Sequence, residues 1–174
     1  ITFATPTVPK AGALAVVAFE GATLSQGGTE LDAAIGGFLA RAVAANKTFK
    51  GKPGQAVTVL TPPGMDVNRV LVLGAGKADG LARKDLEHLG GALLAALAGA
   101  GEKEGAIDLR GVSGRDMTAE DVAVAVALGA RLRSYRFDKY RTKKKDDEGN
   151  GPDRLTVLTE AAKPAKKAFE AMTK

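Results

Sequence analysis

The chain has 174 residues, of which 45% are hydrophobic and 26% charged, a balance typical of one globular domain and unlike that of a disordered or fibrous protein. It contains no cysteine, which excludes disulfide frameworks, thiolate zinc sites and cysteine nucleophiles. The net charge of +5 favours anionic partners without identifying one.

No apolar run approaches the roughly 20 residues that a membrane-spanning helix requires. Residues 1–10 lack the basic region and apolar stretch of a secretory signal peptide. The first residue is Ile1 and not Met, so we expect a fragment of a longer protein. The absence of cysteine is compatible with a reducing cytoplasm, and we expect a cytoplasmic location.

The first half of the chain predicts two strands around one helix. Ala13–Phe19 is a continuous apolar run, typical of a strand covered on both faces. Apolar residues then recur at helical spacing over Thr29–Asn46, where Thr29 and Asp32 resemble a capping box at the start of one amphipathic helix. Gln55–Leu60 predicts the next strand, which two prolines terminate.

The middle of the chain continues the alternation. Val70–Leu73 is a further apolar strand, and Ala82–Gly99 places leucines along one helical face. Ala106–Leu109 is short and strand-like. The period of Thr118–Arg133 is ambiguous because valines alternate with alanines, but its length and the cap formed by Thr118 with Asp121 favour a helix.

The last third contains a polar loop, a strand and a helix. Lys143–Pro152 is turn-rich, Arg154–Leu158 is a strand, and Lys163–Lys174 begins a helix. Strands that are too apolar for a one-sided sheet alternate with helices, which predicts an α/β fold around a largely buried sheet.

The glycine-rich turn at Gly74–Lys77 follows a strand and invites comparison with nucleotide-binding loops. A P-loop requires G-x-x-x-x-G-K-[ST], whereas here the spacing differs and Ala78 stands where Ser or Thr would hold magnesium. The G-x-G-x-x-G fingerprint also fails, since Asp79 occupies the third glycine position and Gly80 comes one residue late. We therefore interpret the segment as a plain strand-to-helix turn.

The titratable residues form no recognisable catalytic or metal-ligand pattern. His88 is the single histidine and lies in an Ala- and Leu-rich segment, so we interpret it as a partly exposed helix residue. Asp146, Asp147 and Glu148 lie beside three lysines in the polar loop and lack the alternating spacing of a calcium loop. The sequence predicts no catalytic residue, no cofactor and no metal within this chain.

A basic, aromatic segment is the most informative stretch. It holds three aromatics, Tyr135, Phe137 and Tyr140, among cations that are candidate nucleic-acid contacts. Those cations are Arg131, Arg133, Arg136, Lys139, Arg141, Lys143, Lys144 and Lys145. The interpretation that we favour is packing: the aromatics anchor the end of the helix against the sheet while the arginine side chains extend outward or pair with acids.

The same segment carries a resemblance to a known family. The pattern G-A-x-L-x-x-Y-x-F-x-x-Y over residues 129–140 resembles the end of the N-terminal domain of leucyl aminopeptidases, also called cytosol aminopeptidases. Upstream, the RVLVLGAGK stretch at residues 69–77 is similar to the strand and turn of that family. The apolar strands near both ends of the chain fall in matching order.

The resemblance implies a macro-domain-like mixed sheet flanked by helices over residues 1–160. Residues 161–174 would begin a helix connecting to a catalytic domain. In the family, that domain removes N-terminal residues from peptides with two divalent metals, zinc or manganese, in a hexamer. The N-T-D-A-E-G-R signature of the catalytic domain does not occur here, so no catalytic residue carries over.

Three functions follow as hypotheses. The first is a non-catalytic domain that contributes to assembly and active-site access in an aminopeptidase. The second is DNA binding through residues 131–145, and the third is ADP-ribose binding, which is suggested only by fold similarity to macro domains.

Overall fold

The computed structural model describes residues 1–139 and 151–174, and in this part of the chain seven strands form one sheet with helices on both faces. The strands are β1 (Thr2–Ala4), β2 (Ala13–Phe19), β3 (Thr23–Leu24), β4 (Ala56–Leu60), β5 (Arg69–Gly74), β6 (Glu104–Asp108) and β7 (Arg154–Leu158). The helices are α1 (Gln26–Ala34), α2 (Phe38–Ala45), α3 (Arg83–Ala100), α4 (Ala119–Lys139) and α5 (Ala162–Met172).

The sheet is mixed and its strand order is β1-β7-β6-β2-β5-β4. Adjacent strands from β1 to β5 in that order are parallel, whereas β4 runs antiparallel to β5. The short β3 pairs antiparallel with β2 outside this row. The predicted mixed sheet flanked by helices is therefore confirmed.

Two hydrophobic cores lie on opposite faces of the sheet. One core includes side chains of α3, α4 and α5, and the other includes side chains of α1 and α2. Strand β2 is central and wholly buried, so Ala15 and Val17 face the first core while Leu14 and Val16 face the second. This two-sided burial explains why the ALAVVAF run is continuously apolar.

The prediction of one helix over residues 29–46 is wrong, because the segment forms two helices. Gly36 and Gly37 have φ values of 72° and 81°, left-handed conformations that end α1 and allow α2 to start in a new direction. The carboxylate of Asp32 accepts a hydrogen bond from the backbone N–H of Ala40 (3.0 Å), so it caps α2 and does not begin α1. The N-cap of α1 is Ser25, whose Oγ accepts from Gly28 (3.3 Å).

The helix predicted at residues 118–133 is confirmed and continues to Lys139. Its predicted cap also forms: the backbone N–H of Thr118 donates to Oδ2 of Asp121 (2.9 Å), and the Asp121 N–H donates to Oγ1 of Thr118 (3.2 Å). Val122 to Ala127 are all buried, because α4 lies between α3 and α5. Burial on several sides accounts for the ambiguous period of this segment.

The remaining predicted elements are present with small shifts at their ends. Strands β4, β5, β6 and β7 and helices α3 and α5 occur where the pattern indicated. Strands β1 and β3 were not predicted, because segments of three and two residues carry too little periodicity to be recognised. The predicted loop at Lys143–Pro152 lies almost wholly outside the described residues.

Candidate functional site

The carboxyl ends of the parallel strands form the edge where α/β proteins usually bind ligands. The chain leaves β2 towards β5 on one side, while β6 pairs with β2 on the other. Such a reversal opens a crevice between neighbouring strand ends. Here the crevice lies between β2 and β6, beside the N-terminus of α1.

The domain's own charged side chains fill this crevice. Asp108, at the end of β6, is 5% exposed, and its Oδ1 accepts hydrogen bonds from the backbone N–H (3.0 Å) and Nε (3.1 Å) of Arg110. Its Oδ2 accepts from Nη2 of Arg110 (2.7 Å), and Nη1 of Arg110 pairs with Glu30 on α1. The hydrogen bonds that Arg110 donates to Asp108 raise the pKa of the Arg110 guanidinium above its ordinary value. Both carboxylates are thus paired with the same guanidinium.

The N-terminus of α1 is also engaged by the chain. A helix N-terminus binds anions through backbone N–H groups that lack a partner. The Gly27 N–H donates to the carbonyl of Arg110 (3.1 Å), and the Thr29 N–H donates to the carbonyl of Ser25 (2.8 Å). A Cβ added to Gly27 would lie 2.6 Å from Cγ of Asp108. The carboxylate of Asp108 therefore packs directly on the helix terminus that a bound phosphate would need.

The turn at Gly74–Lys77 is a strand-to-helix connection, as predicted. Its amides donate to backbone carbonyls of neighbouring segments: Gly74 to Gln55, Ala75 to Ala18 and Gly76 to Gly51, each at 2.9 Å. A phosphate-binding loop needs such N–H groups to point at the ligand. The hydrogen bonds of this turn tie the sheet to its flanking loop instead.

His88 is exposed on α3, as the interpretation of a helix-surface residue requires. Asp146, Asp147 and Glu148 lie outside the described residues. In residues 1–139 and 151–174, no group of three or more His, Asp or Glu side chains is placed to hold a metal ion.

Among the helices of the same residues, none is both long and apolar enough to cross a membrane.

Among the described residues, the basic segment contains an arginine that contacts aromatic rings and three cations with exposed side chains. The Arg131 guanidinium lies over the rings of Tyr135 (5.7 Å) and Phe169 (5.9 Å), and its Nη2 donates to the Tyr135 hydroxyl (3.2 Å). Arg133, Arg136 and Lys139 are exposed on the last turns of α4. The other predicted contacts, Arg141, Lys143, Lys144 and Lys145, lie outside the described residues.

The packing interpretation of the aromatics is wrong for Tyr135, whose side chain is 57% exposed. Since α4 continues as a regular helix through Lys139, Tyr135 falls at the rim of a cavity and not in the core. Tyr140 and the side chain of Phe137 lie outside the described residues. The cavity measures about 320 Å³ and is lined in part by Arg131, Ser134, Tyr135, Asp153 and Phe169.

Sequence reasoning missed the Asp108, Arg110 and Glu30 cluster. The predicted strand over residues 106–109 placed Asp108 inside the strand, and Glu30 lies 80 residues from Arg110 in the chain. A charged residue near the carboxyl end of a buried strand was the available signal. Arg110 is a neighbour of Asp108 in sequence, but the contact with Glu30 depends on tertiary proximity that no local pattern shows.

Comparison with known proteins identifies relatives over most of the chain. Residues 15–144 match the model of the cytosol aminopeptidase family, N-terminal domain. A probable cytosol aminopeptidase of Rhodopseudomonas palustris is 44% identical over 128 residues, covering 72% of this chain and 25% of that protein. Another from Allorhizobium ampelinum is 36% identical over 173 residues, covering 98% of this chain and 33% of that protein.

Solved structures show the same fold. A mutant of tomato leucine aminopeptidase matches with a TM-score of 0.68 and 21% identity, over 96% of this chain and 36% of that one. The bottromycin maturation enzyme BotP in complex with Mn matches at 0.61 and 24% identity, over 92% and 30% of the two chains. A Trypanosoma brucei macrodomain in complex with ADP-ribose matches at 0.68 and 12% identity, over 99% and 69%.

The macrodomain similarity confirms the predicted macro-domain-like fold and, at this identity, concerns the fold alone. The chain spans between a quarter and a third of the length of the two curated relatives. The family model matches well over half of the chain, in agreement with the resemblance carried by residues 69–77 and 129–140. The chain therefore belongs to the cytosol aminopeptidase family, as its N-terminal domain.

Proposed function

We propose that this chain is the non-catalytic N-terminal domain of an aminopeptidase that removes N-terminal residues from peptides. The observation that carries the proposal is the closed crevice, in which Arg110 bonds Asp108 and Glu30 beside the terminus of α1. The crevice at the carboxyl ends of the strands, where related folds bind ligands, is therefore occupied by side chains that hold β6 and α1 together. The domain contributes to assembly of a homo-hexamer and to active-site access, and performs no chemistry of its own.

No three carboxylates of the described residues come together as metal ligands, and two of the more buried ones have structural partners. Glu102 is buried and accepts hydrogen bonds from Nε of Arg69 (2.7 Å) and the amide of Asn68 (3.2 Å). Asp85 accepts from the backbone N–H of Ala82, the N-cap residue of α3 (2.7 Å). We therefore place the two divalent metals, zinc or manganese, in the parent's catalytic domain, consistent with the Mn in the BotP structure.

The partners follow from the same proposal. The domain pairs with its own catalytic domain and, through the hexamer, with copies of itself, and peptides are substrates of the parent. We propose that the connection to the catalytic domain begins after residue 160 with α5, a helix that also packs in the core of this domain. The names of the relatives support a cytoplasmic location.

Hydrolysis of leucine amide tests the proposal. The 174-residue chain is expected to show no hydrolysis with added Mn²⁺ or Zn²⁺, whereas the full-length parent hydrolyses the substrate.

In the parent, Asp108→Asn is expected to lower the thermal stability, because it weakens the hydrogen bonds that Arg110 donates to residue 108. The same variant is expected to leave kcat within about twofold. Metal-dependent hydrolysis by the isolated chain, or a selective loss of kcat in the variant, contradicts the proposal.

A second role, DNA binding, is supported by the exposure of Arg136 and Lys139 at helical spacing on α4. Replacing both with Ala is expected to weaken binding to duplex DNA and to reduce the salt slope by about 2, since each phosphate contact contributes about 1. Fluorescence anisotropy over a salt series measures this. The control replaces Lys47 and Lys84, which are exposed lysines on other parts of the surface. If the control weakens DNA binding equally, α4 is not the DNA-binding site.

A further inference from the structure

Strand β4 forms one edge of the sheet, and its outer side is open. The carbonyl of Gln55 accepts from the Gly74 N–H, and the Thr61 N–H donates to the carbonyl of Asn68. Backbone groups alternate in direction along a strand, so odd-numbered residues bond towards β5. The N–H and C=O groups of Ala56, Thr58 and Leu60 therefore point away from the sheet.

These outward groups have no hydrogen-bond partner within the described residues. The side chains of Ala56, Thr58 and Leu60 are exposed as well, and Leu60 is 61% exposed. They lie opposite Leu73, Leu71 and Arg69 of β5, beyond the part of the sheet that α3 and α4 cover. The result is an uncharged strip along an open edge.

The edge lacks the features by which proteins usually protect such strands. Natural edges carry charged side chains, prolines or bulges that prevent pairing with another chain. Ala56–Leu60 has the sequence AVTVL, with no charge and no proline, and its register with β5 is unbroken. Pro53 precedes the strand and Pro62 follows it, so five residues remain available for pairing.

We propose that β4 pairs antiparallel with β4 of a second copy of this chain, about a two-fold axis at Thr58. In this register Thr58 lies opposite Thr58 of the second copy, and Ala56 lies opposite Leu60. Every outward-facing residue then meets another outward-facing residue, so three N–H and three C=O groups of each copy are satisfied together. The small Ala56 side chain leaves room for Leu60.

The match of a small side chain, Ala56, with a large one, Leu60, favours a second copy as the partner of the strand. A two-fold contact uses the same surface on both partners and closes on itself. The exposed strips of the two copies become continuous on one face of the joined sheet. On the other face, α2 packs beside β4, and its first residue, Phe38, has an exposed side chain near the edge. The inference stands independently of the aminopeptidase proposal, since it concerns the edge of this chain alone.

Cysteine cross-linking tests the register, because the chain has no native cysteine. In Thr58→Cys the two Cα atoms face each other at about 5.5 Å, within the range of a disulfide. The control is Ala56→Cys, in which the two cysteines are offset by four residues, roughly 14 Å along the strand, beyond that range. We expect an oxidised dimer for the first variant and none for the second.

Light scattering over a concentration series provides the independent measurement. Thr58→Pro removes the central N–H at a position where an edge strand tolerates proline, so a folded monomer is expected by circular dichroism. Thr58→Val keeps the N–H and is expected to dimerise like the unaltered chain. If Thr58→Pro does not fold, the cross-linking pair decides alone.

Three results overturn the inference: a monomer at every concentration, equal cross-linking of both cysteine variants, or a folded Thr58→Pro variant that still dimerises. The first result includes the case in which the edge receives an extended segment of another protein. None of these results bears on the leucine-amide assay, so the two proposals fail separately.

Discussion

At the scale of single residues, the acids next to helix starts act as caps. Asp121 was assigned this role from its spacing to Thr118, and the structure confirms it. Hydrogen bonds from the Thr118 backbone N–H and hydroxyl lower the pKa of Asp121 below its ordinary value of 3.8. The ionised carboxylate therefore stabilises the folded state.

The first prediction concerns the pH dependence of this cap. A lowered pKa in the folded state contributes stability that is present above the unfolded pKa and lost as the pH falls through the folded value. Asp121→Asn is expected to lower the urea midpoint at neutral pH, and the difference from the unaltered chain is expected to close below about pH 4.

Urea unfolding followed by circular dichroism at several pH values measures this difference. The control is Asp66→Asn, which changes an exposed carboxylate that makes no hydrogen bond within the described residues. A deficit of Asp121→Asn that persists unchanged into acid contradicts the assignment.

At the scale of elements, the contact between α3 and α4 depends on two glycines. A Cβ on Gly90 would overlap the carbonyl oxygen of Val126, and a Cβ on Gly129 would overlap the carbonyl oxygen of Glu87. The helix backbones approach closely because neither position has a side chain. Gly129 also begins the motif that carried the family resemblance, so that position has a packing role.

The second prediction follows from this close approach. Gly129→Ala is expected to destabilise the domain by about 1–3 kcal/mol, since the added methyl overpacks the helix interface. Gly91→Ala is the matched control: its Cβ meets no atom closer than 3.7 Å, and the gain in helix propensity is expected to stabilise by up to about 1 kcal/mol. Urea unfolding of both variants is the measurement, and equal effects contradict the close-contact argument.

At the scale of the whole molecule, α5 closes one end of the sheet. Phe169 is 6% exposed in the core shared with α3 and α4, and its ring packs edge-on against Phe3 of β1, with centroids 5.5 Å apart. Arg131 of α4 lies over the same ring. The last helix is therefore joined to the first strand and to the central helix layer.

The third prediction is that Phe169→Ala destabilises the domain by about 3–5 kcal/mol, because it leaves a cavity where three elements meet. Met172→Ala, which truncates a side chain 58% exposed on the same helix, is expected to change stability by less than about 0.5 kcal/mol. Thermal unfolding compares the two, and a small effect of Phe169→Ala indicates that α5 is not part of the cooperative core.

Local pattern identified most elements because burial on a sheet face and helix capping depend on near neighbours in sequence. Leu14 and Val16 belong to a strand recognisable from its run of apolar residues, and Thr118 with Asp121 revealed a helix start. The division at Gly36 was missed because apolar spacing continued across it. The charged crevice was missed because Glu30 lies far in the chain from Asp108 and Arg110.

The sequence by itself determined the α/β class and the failure of the Gly74 turn to match a nucleotide-binding loop, since each depends on residue order and spacing. The resemblance carried by residues 69–77 and 129–140 indicated the family and, through it, the mixed sheet. Tertiary structure alone decided that Asp108 and Arg110 close the ligand edge, that Tyr135 is exposed, and that β4 leaves an open edge. Those properties depend on which segments meet in space. Contacts between segments that are distant in the chain produce no periodic pattern in the sequence.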